Sequence, residues 1–291
     1  ITVPHHPAVR LSDQELEALM ADDVPVLDLT THLLGIADQP GSITYLTREE
    51  TVICASEEAA RIMLKLGLTP DGVTPSGACL AQGMPILSAS GPMGAIHQAW
   101  RQVGALLEHA CGIATRTRRL VRAARAVQPN IAVLTTRKYF PGAKRLSIKA
   151  ILAGGALPHR LGLSETVLVF AEHLAFAGGL AAFLDELPEF RLAAGGKPVG
   201  LEVHNRSDAL AAARAGVEVI QADKFTPEQA TDLVSELRRE HPQTRVHIAG
   251  GINADNAAAY AASGADALIT TWPYFGKPAD IKAFIAPANQ L

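Results

Sequence analysis

The stretch Ile131-Ala132-Val133-Leu134-Thr135-Thr136-Arg137-Lys138 decides the fold: an apolar run stops abruptly at two hydroxyls and two cations. The same grammar recurs downstream. Apolar strands are predicted at 131–134, 167–170, 199–203, 217–221, 246–249 and 267–270, and helical runs at 143–153, 173–185, 207–215, 226–240 and 253–263 separate them. Strands that alternate with helices and are apolar throughout indicate a parallel sheet buried on both faces. Six such units suit a closed or nearly closed β/α barrel, with a flat doubly wound sheet as the alternative. The dinucleotide fingerprint of the flat fold is missing, since Gly154-Gly155 and Gly178-Gly179 lack the GxGxxG spacing after a strand.

In parallel α/β folds the loops at the carboxyl ends of the strands converge on one mouth, where sites are built. Here those ends carry Arg137 and Lys138, then Glu172 and His173, then Glu202 and His204, then Asp223 and Lys224. The last two carry Gly250-Gly251-Ile252-Asn253 and Thr270-Thr271. Arg137, Lys138, Lys149, His159 and Arg160 cluster around a single strand–loop–helix–loop. Arginine grips carboxylate or phosphate with a planar fork and lysine adds a point charge, so the cluster suits a small, multiply anionic ligand. The glycine pair leads from a strand into a predicted helix, which is either a phosphate cradle or a tight turn. Thr270 and Thr271 would bond the same phosphate. Glu202 and Asp223, on neighbouring strand ends, could hold ribose hydroxyls, bind Mg²⁺, stabilise a developing sugar cation, or pair with Arg137 and Lys138.

Composition narrows the ligand. The 291 residues are 48% hydrophobic, 19% charged and only 5% aromatic, with a net charge of −3. A mildly acidic chain is no general nucleic-acid binder, which needs a basic field. Cys54, Cys79 and Cys111 form no CxxC and are expected as reduced core thiols of a cytoplasmic protein. His5-His6 is read as part of a frayed end, not a metal pair. Residues 1–10 lack the apolar segment of a signal peptide. Residues 167–184 are apolar but hold Glu172, His173 and Gly178-Gly179, so a buried strand and helix are expected there, not a membrane span.

Ahead of the regular part the chain is mixed. Ser12 and Glu15 frame a capping box before Leu16, Leu19 and Met20. Short strands at 43–46, 51–55 and 83–88 and helices at 56–66 and 93–114 suggest an α+β layer.

These motifs, in this order, resemble the quinolinate phosphoribosyltransferases, or nicotinate-nucleotide pyrophosphorylases. The likeness runs through Leu27-Asp28-Leu29-Thr30-Thr31, Arg101, Cys111-Gly112-Ile113-Ala114-Thr115-Arg116-Thr117, Thr135-Thr136-Arg137-Lys138, Pro141-Gly142, His159-Arg160-Leu161-Gly162-Leu163, Leu201-Glu202-Val203, Asp223 and Gly250-Gly251-Ile252. It implies an N-terminal α/β sandwich and dimerisation domain over 1–114, an incomplete, six-stranded β/α barrel over 115–275, and a C-terminal segment, 276–291, returning to the first domain. It implies transfer of phosphoribosyl from phosphoribosyl pyrophosphate, with Mg²⁺, to a ring nitrogen, in a homodimer. Arg137, His159 and Arg160 would line the acceptor pocket, and Arg101 would reach it from the neighbouring subunit. Lys138, Glu202 and Asp223 would handle pyrophosphate, ribose and metal. Gly250 and Gly251, with Thr270 and Thr271, would hold the 5′-phosphate.

Departures from the family pattern point to the acceptor. Where the family has Leu-x-Lys-Asp-Asn-His, this chain has Leu168-Val169-Phe170-Ala171-Glu172-His173. A cation has become Phe170 and an amide Glu172. The family's Ser-Gly-Gly is Ala249-Gly250-Gly251, and its Asp-Asn is Asp223-Lys224. These changes resemble the ModD-type subgroup, associated with molybdenum-transport operons. If both face the pocket, Phe170 and Glu172 disfavour a dicarboxylate, because an unpaired buried carboxylate is costly. The alternatives are a non-catalytic binding protein on the same scaffold, linked to molybdenum transport, or another phosphosugar-binding barrel.

Overall fold

The computed structural model describes residues 9–288, and His5-His6 lie outside them. Two compact units form: 1–118 with 140–155 and 273–291, and 119–139 with 156–272. The division falls inside the helix Met93–Val127, which extends thirteen residues beyond its expected end.

Thirteen strands run through the described residues: β1 (Pro40–Thr47), β2 (Thr51–Val52), β3 (Thr69–Asp71), β4 (Cys79–Leu80), β5 (Pro85–Pro92), β6 (Ala132–Thr135), β7 (Leu157–Pro158), β8 (Val167–Val169), β9 (Val199–Val203), β10 (Val219–Asp223), β11 (Arg245–Ala249), β12 (Ala267–Thr270) and β13 (Ile281–Pro287). In the first unit, β13, β1, β5 and β3 form an antiparallel sheet in that order. Alternate residues of β1 are buried, so Ile43 and Tyr45 enter the core while their neighbours stay half-covered. The Tyr45 hydroxyl donates to the Trp100 carbonyl at 2.7 Å, which satisfies a buried polar tip. Ser12 caps the helix Asp13–Asp23, with Glu15 returning the bond, as its spacing predicts.

Lys149 departs from expectation. It does not join the basic cluster. Its helix, Lys144–Gly154, belongs to the first unit, and the ammonium is 3% exposed, 2.9 Å from Glu57 and hydrogen-bonded to Glu58. Cys54 and Cys111 are buried free thiols, but Cys79 is exposed, because it sits on β4, paired only with the two-residue β2.

The second unit holds a parallel sheet in the order β7-β6-β12-β11-β10-β9-β8. Its end strands β7 and β8 do not pair with each other, so the barrel is incomplete. It has seven strands rather than the expected six, since Leu157–Pro158 is too short to carry a hydrophobic period. The expected helix at 173–185 is broken into Ala171–Leu174 and Gly179–Asp185 by Gly178 and Gly179 at positive φ, and Phe176 between them is 94% exposed. No helix among the described residues is long and apolar enough to cross a membrane.

Candidate active site

The carboxyl ends of the parallel strands enclose a cavity of about 740 Å³. It is lined by Arg137, Lys138, His159, Arg160, Phe170, Glu172, Glu202, Asp223, Gly250, Gly251, Thr270 and Thr271. Among the residues expected there, Arg101, Lys149, His173 and His204 do not line it. That arginine belongs to the first unit, is exposed, and lies over the Trp100 ring at 4.3 Å.

Arg160 is only 9% exposed, and no carboxylate pairs with it among the described residues. The face of its guanidinium rests near the Phe170 ring, 5.6 Å from the centroid. Burial and the neighbouring Arg137 lower its pKa, yet an arginine keeps its charge in proteins. A desolvated cation without a counter-ion is costly, so the site is complementary to an anion. His159 flanks it. Burial, with His247 and Arg160 alongside, lowers the His159 pKa to about 4, so its ring is neutral at pH 7.

Other lining residues are acidic. Glu202 on β9 accepts a 2.6 Å hydrogen bond from the Gln221 amide on β10, and these residues face each other in the sheet register. Burial raises the Glu202 pKa against the pull of the Gln221 hydrogen bond, and Asp223 and Glu172 push the same way. Neither Glu202 nor Asp223 pairs with Arg137 or Lys138. Both lie near His204, at 3.9 and 3.7 Å. One ligand atom each from Glu202, His204 and Asp223 fall within 4.8 Å of one another. Two carboxylates beside a glycine cradle suit Mg²⁺, which prefers oxygen ligands and keeps several for water and substrate.

That cradle is the turn after β11. Gly250 has φ +95°, and a Cβ there would stand 2.9 Å from Asp223 Oδ1 and 2.7 Å from Lys224 N. The helix expected to follow directly from Asn253 starts only at Ala257 and is five residues long. Asn253 and Asn256 instead bond each other's backbone N–H groups in a turn. The helix-terminus contribution to anion binding is therefore absent, and the glycine backbone is what remains of that expectation. Thr270 is already committed: its hydroxyl donates to Ile252 O at 2.6 Å and braces the turn. Thr271 shares a 2.7 Å hydrogen bond with Thr136.

Gln221 and Trp272 line the cavity without being evident from sequence, and Lys224, named there at a strand end, lines it as well. The apolar run ends at Gln221, but β10 continues to Asp223, which places Gln221 one layer deeper. Lys224, a strand-end cation by sequence, adopts φ +61°, and its N–H donates to Ala249 O at 2.9 Å. Trp272 closes the rim after the threonine pair.

Residues 28–111 match the family model "Quinolinate phosphoribosyl transferase, N-terminal domain", and 113–282 match the corresponding C-terminal domain. A Rhodobacter capsulatus protein named "Putative pyrophosphorylase ModD" is 42% identical over 250 residues, 85% of this chain and 95% of that protein. The nicotinate-nucleotide pyrophosphorylase (carboxylating) of Mycobacterium leprae is 32% identical over 247 residues, 83% of this chain and 85% of that one. The crystal structure of NadC from Streptococcus pyogenes superposes with a TM-score of 0.86 at 22% identity, covering 96% of this chain and 99% of that one.

Proposed function

The chain belongs to the quinolinate phosphoribosyltransferase family, and from that premise we propose that it transfers phosphoribosyl from phosphoribosyl pyrophosphate to the ring nitrogen of a pyridine-carboxylate-like heterocycle. The observation that carries this is one cavity lined both by a buried, unpaired arginine and by a close acidic pair.

Each group has a part in the reaction. Arg160, with Arg137, holds the acceptor's carboxylate and so fixes the ring, and neutral His159 packs beside it without adding repulsion. The ring nitrogen then attacks the ribose C1′, and the C1′–oxygen bond to pyrophosphate breaks. Positive charge develops at C1′, where Glu202 and Asp223 supply fixed negative charge in a part-buried setting. Lys138 at the rim draws the leaving pyrophosphate. The Gly250-Gly251 backbone receives the 5′-phosphate, with Thr270 holding the turn in place and Thr271 beside it. Glu202 and Asp223 would also hold Mg²⁺, which when bound offsets pyrophosphate charge. Arg101 serves the acceptor pocket of a neighbouring subunit in a homodimer, since within its own chain it does not line the cavity. Cys54 and Cys111 as buried free thiols support a reducing, cytoplasmic setting.

Titration calorimetry with phosphoribosyl pyrophosphate and Mg²⁺ tests the reading. Binding is expected in the parent and weakened at least about tenfold in Glu202→Ala and Asp223→Ala, the loss of one charge-assisted contact each. Equal affinity in all three proteins would sink it.

A further inference from the structure

One side chain of the cavity stands on a backbone that its residue type rarely adopts. Among the described residues Ala55 and Lys224 are the two non-glycine residues with positive φ, and Lys224 lies at +61°. That region suits glycine and asparagine, and a lysine there is uncommon. The sheet fixes the position. Asp223 faces Ala249 in the register, and the next N–H, that of Lys224, donates back to Ala249 O at 2.9 Å. The chain therefore turns beside the Gly250-Gly251 cradle. A Cβ placed on Gly250 would stand 2.9 Å from Lys224 Cγ, so the lysine stem occupies space that the bare glycine leaves open. The side chain lines the cavity and is exposed, and no carboxylate pairs with it among the described residues. Asp223, its chain neighbour, lies near His204 instead. Stability alone would favour asparagine or glycine at this turn. An unpaired cation held in such a conformation against a glycine cradle points to an anion that the two receive together.

We propose that Lys224 is the cation of the sugar-phosphate subsite, its ammonium pairing with the 5′-phosphate of phosphoribosyl pyrophosphate while the Gly250-Gly251 backbone receives the phosphate oxygens. The inference rests on the phosphoribosyl-transfer reading and deepens it by giving that phosphate a counter-ion. Two further observations support it. The turn itself has little else to offer an anion. No helix follows it directly, the Thr270 hydroxyl donates to Ile252 O, and Thr271 shares its hydrogen bond with Thr136. A phosphomonoester carries close to two negative charges at pH 7, and hydrogen bonds from a charged donor are roughly twice as strong as neutral ones. The other cations of the cavity also have work elsewhere. Arg160, with the Phe170 ring near its face, and Arg137 hold the acceptor, and Lys138 draws the pyrophosphate. Lys224 is the cavity cation whose own stem packs against the glycine turn.

The test is calorimetry of the full chain with ribose 5-phosphate, and separately with pyrophosphate and Mg²⁺, in the parent and in Lys224→Met, Lys224→Arg and Lys224→Asn. Ribose 5-phosphate affinity is expected to fall about tenfold in the Met and Asn proteins and to stay within about threefold of the parent in the Arg protein. Pyrophosphate affinity should stay within about twofold throughout. Asparagine tolerates positive φ, so the Asn protein should melt no lower than the parent while binding less, which separates the lost charge from any loss of fold. Equal ribose 5-phosphate affinity in the parent and Lys224→Met overturns the inference. So does a loss confined to pyrophosphate, which gives the lysine to the leaving group, and so does a parent with no measurable affinity for ribose 5-phosphate. An Asn protein that melts several degrees below the parent overturns it too, because the lysine then serves the fold. Binding of ribose 5-phosphate that depends on Lys224, in a protein that takes up no phosphoribosyl pyrophosphate, would keep the phosphate contact and sink the transfer reading instead.

Discussion

Replacing each glycine of the Gly250-Gly251 pair by alanine should give two different results, because only one of them is hemmed in. Both have positive φ, +95° and +72°. A left-handed backbone costs a residue with a Cβ about 1–2 kcal/mol, so both variants lose that much. Nothing lies within 4 Å of where a Gly251 methyl would stand, and the loss ends there. At Gly250 the methyl meets Lys224 N at 2.7 Å and Asp223 Oδ1 at 2.9 Å. Lys224 N is held by Ala249 O at 2.9 Å, so no side-chain rotation relieves the overlap. Overpacking of this kind adds about 1–3 kcal/mol. Gly250→Ala is thus expected to lose about 2–5 kcal/mol, or about 4–20 °C of melting temperature. The same methyl crowds the Asp223 carboxylate, so phosphoribosyl pyrophosphate affinity should fall more than about tenfold in Gly250→Ala and less in Gly251→Ala. Scanning calorimetry and ligand titration read the two effects. Equal losses in both variants, or a Gly250→Ala protein indistinguishable from the parent, would refute the assignment of the turn as a tight-fitting cradle.

Two further outcomes follow from charged residues outside the cavity. Lys149→Met leaves Glu57 and Glu58 without their buried cation and should cost about 3–5 kcal/mol in urea unfolding, and a loss under about 1 kcal/mol would show the network to be incidental. Arg101→Ala and Arg137→Ala proteins should each be nearly inactive with an accepted substrate, and mixed dimers should regain activity, because one of their two sites then has both arginines. An active Arg101→Ala protein, or a stable monomer in solution, ends the shared-site proposal.

Much of the second unit is legible in the sequence because its strands are largely apolar and then stop. Arg137, Glu202 and Asp223 stand out as the first charged residues after or near the end of such runs, and all three line the cavity. What escapes has no period to read. β3, β4 and β7 have two or three residues each, and β13 lies more than 230 residues from its partner β1. A hydrophobic pattern shows that a strand exists but not which distant strand completes it. The helix after Gly250-Gly251 begins later than its pattern suggests because Asn253 and Asn256 close a turn with their own side chains, a local choice that competes with helix.

Lys149 and Gln221 give the same sign in the sequence, a polar residue inside a buried element, and opposite meanings in the structure. Lys149 groups with the cations of the site by sequence because it follows Arg137 and Lys138 by one helix. Its two carboxylate partners lie 92 and 91 positions earlier, beyond the reach of any local spacing. Gln221 reads as no more than a strand terminus. Hydrogen-bond accounting separates them. The ammonium of Lys149 is matched by Glu57 and Glu58, so its role is complete within the fold. The amide of Gln221 is half matched, and its carbonyl oxygen is buried without a partner among the described residues. Folding alone explains a buried polar group whose bonds are all made. It does not explain one that the chain leaves open, and that sets the amide of Gln221 apart from the more conspicuous lysine.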